Sequence, residues 1–167
     1  MSLVNAAPER GFQDTEFEAR TARAQSLMAR DGLAGLLLMS EQDVRYFTGF
    51  HTLFWQSPTR PWFIVLPAQG DPIAVIPAIG AYLMGQTWIN DIRTWRAPDY
   101  DDDGIGLLAE TLADVTGQGG RIGIPDQMET HVRMPLADLD RLKQSLKSRI
   151  FTSDTAIVRD IRMVKSD

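Results

Sequence analysis

Between His51 and Trp62 the segment HTLFWQSPTRPW places an arginine, a histidine and three large aromatics in twelve positions. Arg60 lies between Pro58 and Pro61, and the ring of Pro61 restricts the arginine's backbone. A guanidinium held this way can grip a carboxylate through two parallel hydrogen bonds, while His51, Phe54, Trp55 and Trp62 cover the apolar part of the same ligand. The same residue types also suit an arginine stacked on a tryptophan at a subunit contact, since Arg and aromatics are enriched in both settings. The residues alone leave both uses open. Tyr46, Phe47 and Phe50, beside an apolar run, are expected in the core.

Other chemistries find little support. The two histidines, His51 and His131, fall in different loops without a ligand-spaced partner, so no metal site or other cofactor is expected within the chain. Asp101-Asp102-Asp103 reads as a solvated helix start, where the helix dipole favours negative charge. There is no Gly-x-Ser-x-Gly elbow, and the glycines from Gly117 to Gly123 precede a strand instead of joining strand to helix, so they form no phosphate cradle.

The 167 residues are 44% hydrophobic and 23% charged, enough for one well-buried domain. A net charge of -5 supplies no basic field for a nucleic-acid backbone. Zero cysteines exclude disulfides and thiolate ligands and agree with a cytoplasmic location. No apolar run approaches the ~20 residues of a membrane span.

The elements that must position Arg60 follow from periodicity. Residues 1–13 are aperiodic and read as a loose arm, with Met1-Ser2-Leu3 resembling an expression scar; residues 14–167 form the domain. Thr15-Glu16-Phe17-Glu18 reads as a capping box opening a helix to Asp31 that buries Phe17, Ala24, Leu27 and Met28, with Gly32 as its stop. Leu33–Met39 reads as a strand buried on both faces. Ser40 caps a short helix ended by Gly49. Trp62–Leu66 and Pro72–Ile76 form a hairpin, followed by a helical piece at Ala81–Met84 and a strand at Ile92–Trp95. Ile105, Leu108, Leu112 and Val115 mark the core face of a helix. A strand at Arg121–Pro125, a helix over Pro135–Ser148 and an edge strand at Ile150-Phe151 follow. Ser153 or Asp154 then caps a last helix burying Ile157, Ile161 and Val164. Strands alternating with helices predict an α/β domain with a mixed sheet covered by helices.

Three segments resemble one known family. Ser40-Glu41-Gln42-Asp43-Val44-Arg45-Tyr46-Phe47-Thr48-Gly49-Phe50 is similar to the S-x-x-N-x-x-Y-L-T-G-F segment of the N-terminal domain of creatinases, Xaa-Pro dipeptidases (prolidases) and aminopeptidases P. Arg121-Ile122-Gly123-Ile124 resembles that domain's R-I-G-I-E strand, and Ile161-Arg162-Met163-Val164-Lys165-Ser166 its L-R-M-I-K-S exit. Asp43 departs from the usual asparagine, and Pro125 from a common glutamate. The resemblance implies a ribonuclease H-like layered fold and a non-catalytic domain that mediates homodimerisation and lends a loop to the partner subunit's active site. The chain itself would be inactive. A divalent metal pair (Mn, Co or Zn), or in creatinase a metal-free histidine, would belong to a C-terminal catalytic domain that the chain does not include. A small peptide or amino-acid derivative would be the substrate. In the creatinase-like branch an arginine before proline at the start of the second strand binds the substrate carboxylate, and Arg60 occupies that place, with Phe54, Trp55 and His51 as lesser contacts. The rival expectation is a freestanding α/β binding or assembly module.

Overall fold

Leu33–Met39 is apolar throughout and too short for a core helix, so it has to be covered on both sides. The computed structural model, which describes residues 11–57, 60–153 and 155–164, places it at the centre. Strand β1 (Gly35–Leu38) is buried at all four positions. It pairs antiparallel with β2 (Phe63–Pro67) and parallel with β5 (Arg121–Ile124). A hairpin returns β3 (Ile73–Pro77) against β2, β4 (Asp91–Trp95) runs parallel to β3, and β6 (Ile150–Ser153) runs parallel to β5. The sheet is therefore mixed, in the order β4-β3-β2-β1-β5-β6.

Side-chain alternation along β1 separates two cores. Leu36 and Leu38 pack with Ala24 and Met28 of α1 (Asp14–Asp31), Val44 and Phe47 of α2 (Glu41–Thr48), and Ile157 and Ile161 of α6 (Thr155–Met163). Met84 of the short α3 (Ala81–Met84) joins this side. Leu37 and Met39 face Ile105, Leu108 and Leu112 of α4 (Ile105–Thr116) and Leu142 of α5 (Leu136–Ser145). The result is helices, sheet, helices: the layered α/β fold that the sequence pattern predicts.

Helix ends follow local chemistry. Ser40 Oγ accepts from the Asp43 N–H at 3.1 Å, and Gly49 ends α2 at φ 70°. The acidic run caps α4: Asp102 Oδ1 accepts from the N–H groups of Ile105 and Gly106 at 2.9 and 3.0 Å. Two expectations need correction. α1 starts at Asp14, before the expected capping box, and its N-cap Gln13 makes no side-chain cap. Phe12 instead packs edge-on against Phe17 at 6.3 Å, a hydrophobic staple that fixes the entry of the chain two residues upstream. At the other end Val164 is 49% exposed, because α6 closes at Met163 and its buried stripe is Ile157, Val158 and Ile161. Residues 1–10 of the expected arm and the candidate cap Asp154 lie outside the described residues.

Candidate functional site

β1 and β5 are parallel, so their carboxyl ends lie together, and antiparallel β2 brings its amino end to the same edge. Three segments meet there: the start of α2, the loop into β2, and the loop after β5. Ligand groups in open α/β sheets gather at such carboxyl ends.

Trp62 is the floor of this region. It is 1% exposed and touched by the rings of Phe50 at 5.4 Å, Trp55 at 6.1 Å and Phe54, stacked at 6.1 Å. Gly80 lies so close that a Cβ there would overlap the Trp62 indole, so only glycine fits. Thr52 Oγ1 accepts from the Phe54 N–H and opens a 3-10 turn, Leu53–Gln56, that inserts Trp55 and leaves Phe54 39% exposed.

Arg60 closes the loop with φ 72°. The left-handed region is unfavourable for a side chain with a Cβ, and the following proline disfavours helical conformations further. Its side chain makes no hydrogen bond or ion pair among the described residues, and the residue is half-buried. His51 is exposed, and no hydrogen bond or ion pair ties it to Arg60, Phe54 or Trp55 among the described residues.

The arginine that stacks on tryptophan is a different one. Arg133, in the loop after β5, sets its guanidinium 5.0 Å from the Trp55 ring. It donates to the carbonyls of Ser57 at 2.6 Å, Arg60 at 3.0 Å and Trp55 at 3.4 Å. Burial pulls this guanidinium down from the usual arginine range while the charge of Glu41 opposes the shift; a guanidinium so placed stays charged at neutral pH. Sequence reasoning missed Arg133. Its only signal was a place between Val132 and Met134, both packed against the core.

The site is rich in donors. Besides Arg60, the indole N–H groups of Trp55 and Trp62 are buried and meet no acceptor among the described residues. The Arg60 guanidinium, on a half-buried residue, can meet an acceptor from solvent, a carboxylate above all, whereas the two indole N–H groups are closed off from it.

The model of the Creatinase/Prolidase N-terminal domain matches residues 20–164. The chain belongs to this family. It is 28% identical over 160 residues to the probable dipeptidase PepE of Mycobacterium tuberculosis, covering 95% of this chain and 39% of that protein. The solved dipeptidase PepE of Mycobacterium ulcerans superposes with a TM-score of 0.68 at 26% identity, covering 93% of this chain and 38% of the other. A prolidase from Thermococcus sibiricus superposes with a TM-score of 0.73 at 17% identity, covering 90% and 38%. The chain thus spans about two fifths of the length of these relatives.

In this creatinase/prolidase N-terminal domain, two of the matched motifs form one joint. Asp43 is buried; its Oδ2 accepts from Ser40 Oγ at 2.6 Å and its Oδ1 from Arg162 Nη1 at 3.1 Å. Tyr46 donates its hydroxyl to the Ile161 carbonyl at 2.9 Å, while its own carbonyl accepts from Arg20 Nη1 at 2.9 Å. The first and last motifs therefore hold α1, α2 and α6 together. Burial raises the Asp43 carboxyl above the usual aspartate range, with the Ser40 hydrogen bond and Arg162 acting against it. Among the described residues no three His, Asp or Glu side chains come close enough to hold a metal ion. A cleft of about 500 Å³ between Gln69, Asp71, Asp91 and Val115 lies at the opposite end of the sheet and contains none of the candidate residues.

Proposed function

We propose that this chain is the non-catalytic N-terminal domain of a creatinase/Xaa-Pro-peptidase-like C–N hydrolase. In this reading it mediates homodimerisation and lends its Arg60 loop to the active site of the neighbouring subunit. The observation that carries the reading is Arg60 itself: a guanidinium without a partner among the described residues, on backbone at φ 72°, two positions before the buried Trp62. Strain of this kind persists where the surrounding structure enforces it, and it concentrates at ligand clamps. The natural occupant is the carboxylate of a small peptide or amino-acid derivative, and the relatives' names favour a dipeptide. Phe54 and Trp55 would cover its apolar part, with His51 at the margin. The divalent metal pair, Mn, Co or Zn, and the bond-breaking groups would be supplied by a catalytic domain, leaving the 167-residue chain inactive alone. The absence of cysteine is compatible with a cytoplasmic enzyme, and no helix of the described residues is long and apolar enough to cross a membrane.

Subunit mixing tests the assignment. Full-length Arg60→Ala subunits are co-expressed with subunits inactivated in the catalytic domain. Recovery of dipeptide cleavage in the mixed dimer, where an intact catalytic site meets an intact loop from its neighbour, is the expected outcome. No recovery, or a monomeric enzyme, contradicts a loop acting between subunits.

A further inference from the structure

We propose that Arg133 is the positioning residue for Arg60, a clamp that holds the substrate-contacting loop in its strained shape from a separate segment of the chain. The proposal rests on the reading of Arg60 as a carboxylate contact and adds to it the group that sets its geometry.

Three observations carry it. Carbonyls at positions 55, 57 and 60 converge on one guanidinium, so a single side chain ties both the 3-10 turn and the end of the loop. One of these carbonyls belongs to Arg60 itself. Fixing that peptide plane fixes the backbone from which the Arg60 side chain departs, at a φ the free chain would leave. The Arg133 guanidinium also packs on Trp55, a wall of the same site. Its hydrogen bonds go to neutral carbonyls, so it holds backbone while its positive charge remains to strengthen the local field for an anion. Lysine cannot substitute: three carbonyls in different directions need the planar fork of donors, and an ammonium is a single point.

The test uses the full-length protein with Ala-Pro as substrate and its carboxamide, Ala-Pro-NH2, as the probe lacking the carboxylate. The variants are Arg133→Met, Arg133→Lys and Arg60→Ala, with the double variant Arg60→Ala/Arg133→Met. Losing charge-assisted hydrogen bonds should raise KM for Ala-Pro by about tenfold or more in both Arg133 variants. The preference for the acid over the amide should fall in proportion, and the double variant should be no worse than Arg60→Ala. A residue that merely stabilised the fold would depress both substrates alike. If Arg60→Ala lowers the acid preference and the Arg133 variants leave it intact, the positioning role is overturned and the reading of Arg60 survives. If Arg60→Ala itself leaves the preference intact, both fall. Should Arg133→Met fail to fold, Arg133→Lys, which retains charge and stem, decides the matter by the same ratio.

Discussion

Two neighbouring regions of this domain are organised by arginines, to opposite ends. At the joint of α1, α2 and α6, Arg162 meets the buried carboxylate of Asp43, and Arg20 meets Glu16 at 2.8 Å and the Tyr46 carbonyl. Each of these charged groups has a partner, and the backbone is helical. In the Arg60 loop donors are in excess: two indole N–H groups and one guanidinium lack acceptors among the described residues, and the backbone at Arg60 is left-handed. Groups that satisfy each other stabilise a fold, whereas unpaired donors on strained backbone lower stability and are tolerated where a ligand completes them.

Substitutions in the isolated domain test this contrast. The largest effect is expected at the floor shared by the loop and the core. Trp62→Ala should cost about 3–5 kcal/mol in urea unfolding, the usual range for emptying a buried aromatic site. A loss below about 1 kcal/mol would mean that the aromatic cluster is not part of the core at all. Next comes a change of opposite sign. Arg60→Gly should stabilise the domain by about 1 kcal/mol, because glycine adopts a positive φ without the Cβ clash. Destabilisation there would show Arg60 to be a structural residue and would erase the distinction between the regions.

The smallest effect is expected at Asp43. Its folded carboxyl is raised, so the folded state binds a proton more readily than the unfolded state. The corresponding stability is fully present below the ordinary aspartate range and is lost as pH rises through the raised folded value. Asp43→Asn keeps an oxygen for Arg162 and removes the buried charge. Because the burial cost of the Asp43 charge disappears while an acceptor for Arg162 is kept, it should stay within about 1 kcal/mol of the parent domain at neutral pH and flatten the pH dependence in the mildly acidic range. Unfolding curves at stepped pH values read this directly; a steep loss of stability in Asp43→Asn at neutral pH would show that the charge itself holds the joint.

Much of the architecture was legible because it is written in local patterns. The apolar run from Leu33 to Met39, the Ser40 and Gly49 caps and the hairpin that joins Trp62–Leu66 to Pro72–Ile76 each fix one element through short-range physics. The start of α1 was misread because a capping box and a hydrophobic staple overlap there, and the contact between Phe12 and Phe17 wins. Val164 was misjudged because a helical stripe does not reveal where the helix stops. The site was legible only in half. Arg60, Phe54, Trp55 and Trp62 are neighbours in sequence, but Arg133 reaches them from 73 positions away through backbone carbonyls. Carbonyl acceptors have no side-chain identity, so no residue pattern could announce them.

Whether Arg60 meets the substrate carboxylate is decided by one kinetic constant. In the full-length protein, Arg60→Ala should lower kcat/KM on an Xaa-Pro dipeptide by the equivalent of about 2–5 kcal/mol, the cost of removing one partner of a buried charge pair. An unchanged kcat/KM would return Arg60 to the structure of the loop.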